Sequence, residues 1–304
     1  MSIITAIDLG SNSFRVLIYD CKKEIILAEH NEVVGMADGL THTGCISKEA
    51  QERVVFAINT TSQNMNYDTN KAICVTTAAM RLAKNSKDVL AYLKEKTGAN
   101  FVIIDGHEEA RLTLLAVKHA LKREKIPSNN FILLDIGGGS LEIIVNTKNE
   151  YISHSFNFGI VTLTQKHYKE KELKDFLENR KKEINNFLSS LDLDYKKYSF
   201  VATAGTPTTI AAMKLGQDFF NYNKNEVNGS IVNLDDLDTA LNIFKNASKN
   251  EIRKLVGEGR VDFIEIGIYI YRAIFEVLNK NESIVLDDGL REGVALNYAS
   301  KKAI

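Results

Sequence analysis

Two short stretches combine an aspartate, glycine and small polar side chains in the same order. They are residues 8–13 (DLGSNS) and 135–140 (DIGGGS), and each lies between two apolar runs. Glycine permits a tight turn with positive φ, and consecutive backbone N–H groups in such a turn can bind an anion. A single copy would be interpreted as an ordinary β-hairpin turn, where these residues are common. Two copies instead favour a pair of phosphate-binding turns, with donors at Ser11, Asn12, Ser13, Gly138, Gly139 and Ser140.

The charged residues around these turns differ between the copies. An aspartate beside a phosphate is electrostatically unfavourable unless it binds a cation or positions water, and Mg²⁺ held by carboxylates and substrate oxygens meets that need. Seven residues after Asp8 comes Arg15, and at the same spacing after Asp135 comes Glu142. Either side chain could lie on a solvated face or in a salt bridge. The functional alternative is that Arg15 faces phosphate while Glu142 joins Asp135 near a metal ion.

A third candidate lies at the acidic start of a predicted helix, residues 105–111 (DGHEEAR). Asp105 and Glu108 have the spacing of a capping box, so Glu108 has a structural role available. Glu109 lies about 100° further round the helix and is not needed for capping. It is a candidate to accept a proton from water. An acid in the first turn is also favoured by the helix dipole alone, so both interpretations stay open.

Two other connections from strand to helix offer contacts to an anion. Residues 76–81 (TTAAMR) place Arg81 where it could bind phosphate with two hydrogen bonds or simply lie on the surface. Residues 201–210 (VATAGTPTTI) predict a strand, a turn and a helix with Thr206 as N-cap and Pro207 as the first helical residue. The N–H groups near Gly205 and Thr206 can then bind an anion, although a well-capped helix explains the same residues.

These motifs occupy equivalent points of a pattern that occurs twice. Apolar periodicity predicts the order β-β-β-α-β-α-β-α, a break at residues 126–130, and then the same order with extra helices. The predicted strands are 3–9, 14–19, 24–34, 72–76, 101–104, 131–135, 141–146, 151–156, 200–203 and 283–286. The predicted helices include 47–65 with Ser47 as N-cap, 88–96, 108–123, 207–215, an apolar and therefore buried helix at 261–278, and 290–299, with helical stretches filling the rest up to residue 280.

This repetition predicts an α/β protein of two duplicated domains. We expect an N-terminal domain of residues 1–125, completed by the C-terminal helix at about 290–304, and a second domain of residues 126–289. A duplicated pair of domains provides an interdomain cleft, which is a common place for an active site.

Composition excludes several other classes of protein. The chain has 304 residues and a net charge of −1, so it is not a globally basic nucleic-acid binder. Three widely spaced cysteines without a CxxC pair argue against a disulfide framework and a zinc site, and fit reduced thiols in the cytoplasm. No basic N-terminal region or apolar run of about 18 residues is present, so we expect neither a signal peptide nor a membrane span.

Seven motifs, in order along the whole chain, resemble those of the exopolyphosphatase / guanosine pentaphosphate phosphohydrolase family. They are AIDLGSNSFRVLI, TTAAMRLAKN, GHEEARL, LLDIGGGSLEII, ATAGTPTTIAA, GRVDFIEIG and GLREGVA. The resemblance implies the fold shared by actin, hexokinase and heat-shock chaperones, which is ribonuclease-H-like. It also implies a cytoplasmic, Mg²⁺-dependent enzyme of the stringent response, with no nucleic-acid or membrane partner, and it allows a homodimer.

By the same resemblance, Glu109 is the catalytic base, and Asp135 and Glu142 are acids that position metal and water. Asp8 is added to Asp135 and Glu142 as a metal ligand. The implied phosphate ligands are Ser11, Asn12, Ser13, Arg15, Arg81, Gly138, Gly139, Ser140, Gly205 and Thr206.

The chain departs from the family pattern at three points. Ala202 stands where the third motif usually has glycine, Pro207 follows the Gly-Thr pair, and Val261 replaces an alanine. The first two changes put the nucleotide contact of this loop in question. Longer relatives add C-terminal helical domains, and by the same resemblance we expect a short form of the family to offer less surface for a long polymer.

The predicted function is hydrolysis of a terminal phosphate from inorganic polyphosphate, guanosine pentaphosphate or both, by in-line attack of water. Two alternatives remain. The first is an ATP-dependent small-molecule kinase of the same fold, which would need an acceptor. The second is a sensor that binds guanosine tetra- or pentaphosphate without turnover.

Overall fold

The chain divides into two compact units in the computed structural model, which describes residues 3–127, 129–166 and 168–302. Unit 1 comprises Met1–Val117 and Asp288–Ile304, and unit 2 comprises Lys118–Asp287. The C-terminal segment therefore belongs to the unit that contains the N-terminus.

Within the described residues, each unit contains both strands and helices. The strands are β1 (Ile3–Leu9), β2 (Ser13–Asp20), β3 (Ile25–Val33), β4 (Ile73–Thr76), β5 (Phe101–Ile103), β6 (Phe131–Ile136), β7 (Leu141–Asn146), β8 (Tyr151–Phe156), β9 (Ser199–Thr203), β10 (Ser230–Asn233) and β11 (Glu282–Val285). The helices are α1 (Leu40–Thr43), α2 (Lys48–Asn64), α3 (Ala78–Leu82), α4 (Ser86–Thr97), α5 (Gly106–Arg123), α6 (Ile160–Gln165), α7 (Glu170–Ser189), α8 (Gly205–Lys214), α9 (Lys224–Val227), α10 (Leu234–Asn246), α11 (Lys249–Val256), α12 (Ile264–Leu278) and α13 (Leu290–Lys302). None of these helices has the length and apolar character needed to cross a membrane.

The sheet of unit 1 has the strand order β3-β2-β1-β4-β5. The first three strands are antiparallel, whereas β4 and β5 continue parallel to β1. Ala6 and Leu17 of the sheet share a buried cluster with Leu112 of α5 and Val294 of α13. Helices α5 and α13 lie so close that a Cβ atom on Gly293 would overlap the carbonyl oxygen of Leu112. Burial of this apolar layer is what ties the C-terminal helix to the first sheet.

The sheet of unit 2 repeats that topology and adds one strand. Its order is β10-β11-β9-β6-β7-β8, so that β8-β7-β6-β9-β11 follows the same plan as β3-β2-β1-β4-β5. The pairs β6/β7 and β7/β8 are antiparallel, and β6/β9 and β9/β11 are parallel. The predicted duplicated α/β fold is therefore confirmed.

A large apolar core fills unit 2, and α12 runs through it. Phe200 of β9 lies against Tyr271 and Phe275 of this helix, with ring centroids 6.0 and 5.0 Å away. All three side chains are almost fully buried. This packing agrees with the prediction that the helix is buried, and it explains why nearly every face of the helix is apolar.

Local signals located most elements but missed one strand. Ser47 is the N-cap of α2, as predicted, and its hydroxyl accepts a hydrogen bond from the N–H of Ala50 (3.2 Å). The stretch Ser230–Asn233, predicted as helical, is instead the edge strand β10 paired with β11. Four residues are too few to establish a period, and Asn233 already caps the helix that follows. Pairing with β11, far along the chain, decides its conformation.

Candidate active site

The first glycine turn connects β1 to β2. The N–H of Gly10 donates to the carbonyl of Ser13 (3.0 Å), which closes the turn. Asp8 and Arg15 consequently face each other across the two strands, and their charged groups lie 3.9 Å apart. The spacing of seven residues is thus the spacing of direct cross-strand neighbours around this turn. Arg15 is paired with the aspartate of its own hairpin.

The second glycine turn has the same construction between β6 and β7. The N–H of Gly137 donates to the carbonyl of Ser140 (3.0 Å), and Asp135 faces Glu142. Here the two opposing residues are both acids, whereas the first hairpin has an acid and a base. Like charges directly opposite each other on a sheet are destabilising unless other groups compensate them.

A row of polar side chains extends from this acidic pair to both neighbouring strands. Ser155 of β8 is the register partner of Glu142, and its hydroxyl donates to Glu142 Oε1 (2.7 Å). Thr203 of β9 is the register partner of Asp135 and is buried. Ser155 and Thr203 were missed from the sequence. The signal was available, because each lies near the end of a predicted strand at the level of the aspartate.

Both turns are held through their carbonyl oxygens by the segment that follows the third strand of each unit. The carbonyl of Asn12 accepts from Val34 N–H (2.8 Å) and Gly35 N–H (3.0 Å). In unit 2 the carbonyl of Gly138 accepts from the N–H of Val161 (2.9 Å), and a Cβ on Gly159 would lie 2.5 Å from the carbonyl oxygen of Gly137. Carbonyls of both turns are therefore engaged by backbone N–H groups of their own unit, and neither Gly10 nor Gly137 has the positive φ that glycine was expected to provide in these turns.

The predicted phosphate donors lie in these two turns. Ser11, Asn12 and Ser140 are buried there, Ser13 begins β2 half-buried, and Gly138 and Gly139 form the centre of the second turn. Their placement agrees with the expectation of two equivalent turns.

Glu109 lies in the first turn of α5 and is 9% exposed. Arg81 of α3 donates from Nη1 to Glu109 Oε2 (2.8 Å) and to the carbonyl oxygen of Ile104 (2.9 Å). The arginine predicted to bind phosphate is therefore in contact with the residue predicted to be the base. Because the carbonyl of Ile104 also anchors the guanidinium, the carboxylate is held in a defined position.

The neighbouring acids have structural contacts. Asp105 Oδ1 accepts from the N–H of Glu108 (2.8 Å), which is the N-terminal half of the predicted capping box. The Glu108 carboxylate accepts two hydrogen bonds from Arg111, at 2.7 and 2.8 Å. Of the two adjacent glutamates, Glu109 is thus the one directed at Arg81 and Glu108 the one engaged along its own helix.

The third loop differs from its prediction. Helix α8 begins at Gly205, and its N-cap is Ala204 with φ 73°, so the predicted N-cap at Thr206 is wrong. Pro207 is the third helical residue, where the missing N–H costs nothing because the first turn has no internal acceptor for it. The buried Thr206 hydroxyl packs against Gly267 of α12, where a Cβ would overlap it. Only the backbone of Gly205 and Thr206 is therefore suited to bind an anion.

Arg260 adds a positive charge to the start of α8. A Cβ on Gly205 would lie 3.2 Å from Cζ of the Arg260 guanidinium, so glycine allows this approach without displacing the arginine. Tyr222 lies nearby, and its hydroxyl interacts with Thr208 and with the Asp287 carboxylate. Burial, followed by the charge of Asp287, raises the pKa of Tyr222 above its ordinary value. The phenol is therefore neutral, and its O–H is engaged with the Asp287 carboxylate.

The acidic pair fits a divalent cation better than Asp8 does. Among the described residues there is no group of three or more His, Cys, Asp or Glu side chains arranged to hold a metal ion. Mg²⁺ needs only one or two carboxylates when substrate oxygens and water complete its coordination. Asp135 and Glu142 can supply two, whereas Asp8 already faces the positive charge of Arg15.

Comparison with known proteins identifies the family of this chain. A sequence model of the Ppx/GppA phosphatase family matches residues 17–302. The crystal structure of the Aquifex aeolicus member of that family is 27% identical, with a TM-score of 0.77 and coverage of 99% of both chains. An exopolyphosphatase from Cytophaga hutchinsonii is 22% identical, with a TM-score of 0.85 and coverage of 98% of both chains, and shares the fold. With two matched hairpins, a repeated sheet topology and a family match over almost its whole length, the chain belongs to the Ppx/GppA phosphatase family.

Proposed function

We propose that this protein hydrolyses the terminal phosphoanhydride bond of inorganic polyphosphate, guanosine pentaphosphate or both. The observation that carries the proposal is the buried Glu109 held at 2.8 Å from Arg81, together with two turns of matching construction. Phosphoryl transfer needs positioning and charge stabilisation more than covalent chemistry, and these groups suit that demand. Family membership supports the hydrolase class, and the C. hutchinsonii protein is named an exopolyphosphatase.

In this proposal Glu109 accepts the proton of the attacking water. A general base must be positioned within hydrogen-bond reach of the proton that it removes. The Arg81 guanidinium, itself anchored on the Ile104 carbonyl, restricts the Glu109 side chain to one orientation. Arg81 also contributes positive charge to the phosphate being attacked.

Asp135 and Glu142 would hold Mg²⁺, and Ser155 orients Glu142 through its hydroxyl. Bound Mg²⁺ would neutralise charge that develops on the transferred phosphoryl group. Asp8 would contribute less to metal binding, because the Arg15 guanidinium, 3.9 Å from the Asp8 carboxylate, already compensates its charge. Arg15 itself then has two roles, as the partner of Asp8 and as a contact for phosphate.

The turns supply the remaining phosphate contacts. Residues 11–13 and 138–140 offer backbone N–H groups and small hydroxyl or amide side chains, which bind phosphate oxygens without steric hindrance. The N–H groups of Gly205 and Thr206, with Arg260 beside them, are assigned to a more distal part of the substrate. That part is either a further phosphate or the nucleoside end of guanosine pentaphosphate.

The test is phosphate release from polyphosphate and from guanosine pentaphosphate, side by side, with and without Mg²⁺ and without any acceptor. We expect release from at least one substrate and loss of release when Mg²⁺ is chelated. Release that required an added acceptor and ATP would instead identify a kinase. Tight binding of guanosine pentaphosphate without turnover at any Mg²⁺ concentration would identify a sensor.

A further inference from the structure

The segment between β3 and α1 contacts the first turn directly. In residues 34–38, which we call the clamp segment, the N–H groups of Val34 and Gly35 donate to the carbonyl of Asn12. The N–H of Ala37 donates to the carbonyl of Ser11 (2.8 Å). Val34, Met36 and Ala37 are all buried. The buried clamp segment therefore holds Ser11 and Asn12, at the centre of the turn, through their carbonyl groups.

Arg53 of α2 holds the opposite side of the clamp segment. Its Nε donates to the carbonyl of Val34 (2.7 Å), and its Nη2 donates to the carbonyl of Gly35 (3.0 Å) and to Asp38 Oδ2 (2.7 Å). Hydrogen bonds from a guanidinium are charge-assisted, and its planar fork suits several acceptors at once. One arginine thus joins three points of a five-residue segment.

A single peptide group links Arg53 to the turn. The carbonyl of Val34 and the N–H of Gly35 belong to the same peptide bond and point in opposite directions. The carbonyl accepts from Arg53 and the N–H donates to Asn12, so the chain runs from guanidinium to peptide to turn. Hydrogen bonds in such a chain strengthen one another. Loss of Arg53 would therefore loosen the contact with Asn12 as well as leave a carbonyl unsatisfied.

The second turn is held differently. The carbonyls of Gly137 and Gly138 accept from N–H groups of Ile160, Val161 and Thr162, which form the first turn of α6. Helix geometry directs those N–H groups toward the turn. The clamp segment of unit 1 is not helical, and it contains Gly35 with φ 57°. In unit 1, the hydrogen bonds of Arg53 hold the clamp segment in place, whereas in unit 2 the helix geometry of α6 holds the equivalent N–H groups.

We propose that Arg53 is a positioning residue for the phosphate-binding turn of unit 1. It acts through the clamp segment and sets the affinity of residues 11–13 for the phosphate of the substrate. This inference rests on the proposed function for its kinetic consequence. The mechanical link from Arg53 to the turn does not depend on that function.

The test compares Arg53→Gln and Arg53→Lys with the control Arg253→Gln. Arg53 and Arg253 are both 43% exposed, and each pairs with an acidic side chain. Amide hydrogen exchange is followed in a peptide with residues 34–37 and one with residues 160–162, whose N–H groups donate to the first and the second turn. We expect exchange about tenfold faster in the first peptide of Arg53→Gln, corresponding to about 1.4 kcal/mol, and no change in the second. Arg253→Gln should change neither.

Steady-state kinetics on polyphosphate give the functional consequence. For Arg53→Gln we expect KM to rise about tenfold with kcat within about twofold of wild type, because binding rather than chemistry is weakened. Arg53→Lys should give an intermediate KM, since an ammonium keeps the charge beside Asp38 but lacks the fork. Unchanged exchange in residues 34–37, equal acceleration in both peptides, or a fall in kcat at constant KM would each overturn the inference. If the wild type hydrolyses neither polyphosphate nor guanosine pentaphosphate while exchange responds as stated, the proposed function is wrong and the mechanical link from Arg53 to the turn is retained.

Discussion

Replacement of Glu109 by glutamine separates catalysis from stability at this position. Glutamine keeps the length and planar end of the side chain but removes the charge and the proton-accepting carboxylate. Its amide oxygen can still accept from Arg81 Nη1, which lies 2.8 Å from Glu109 Oε2. Because the side chains of Arg81 and Glu109 are only 22% and 11% exposed, the charge-assisted part of this bond is worth about 1 kcal/mol of unfolding free energy.

The expected effect on turnover is much larger than that. Loss of a general base lowers kcat by about 10²- to 10⁴-fold, equivalent to about 3–5 kcal/mol of transition-state stabilisation. Phosphate release from polyphosphate in Mg²⁺ measures the change in kcat. Urea unfolding followed by circular dichroism measures the change in unfolding free energy.

Glu108→Gln is the matched control, because the residue is adjacent and also pairs with an arginine. Its carboxylate is 38% exposed and bonded to Arg111 within the same helix, so kcat should stay within about twofold of wild type. If Glu109→Gln retained more than a tenth of wild-type kcat, the assignment of the base would be refuted. A loss of stability large enough to unfold the Glu109→Gln protein in the assay would refute the energetic reasoning.

Three other substitutions test the surrounding structure. Gly293→Ala should lower the unfolding free energy by about 1–3 kcal/mol in urea, because its Cβ would overlap the Leu112 carbonyl; an unchanged midpoint would contradict the close packing of α13 on α5. Glu142→Gln should abolish the stabilisation of the protein by added Mg²⁺, because it removes one of the two proposed carboxylate ligands; retained Mg²⁺ stabilisation would exclude the pair as ligands. Burial raises the pKa of the Cys74 thiol from 9.0 to about 12, so the folded state favours the neutral thiol, and its contribution is present below pH 9 and lost as the pH rises toward 12. Cys74→Ala should flatten that part of the pH–stability curve, and an equally steep curve in the variant would exclude the thiol as its cause.

Both hairpins could be predicted from the sequence because their geometry is local. In each, six residues contain the end of one strand, the turn and the start of the next, and the closing bond joins Gly10 to Ser13 or Gly137 to Ser140. Once the turn is closed, the residue seven positions after the aspartate becomes its cross-strand partner. The sequence therefore already shows that Asp8 faces a basic residue, Arg15, in the first hairpin, whereas Asp135 faces an acidic residue, Glu142, in the second.

The contacts that organise the candidate site lie far apart along the chain, and no local pattern contains them. Arg81 reaches Glu109 across 28 positions, and Arg53 reaches Val34 across 19. Which arginine meets which acceptor depends on how α3, α5 and α2 pack against the first sheet. The strand β10 likewise forms only because β11 is placed beside it.

By itself, the sequence determined the duplicated order of strands and helices, the two glycine turns and the residue types that can bind phosphate and metal. Those features follow from backbone geometry and periodicity within short windows. Only the tertiary structure decided that Arg81 contacts Glu109, that α8 begins at Gly205 rather than after Thr206, and that Arg53 supports the first turn. The reason is that a side-chain hydrogen bond between distant elements exists only after apolar burial has brought those elements together.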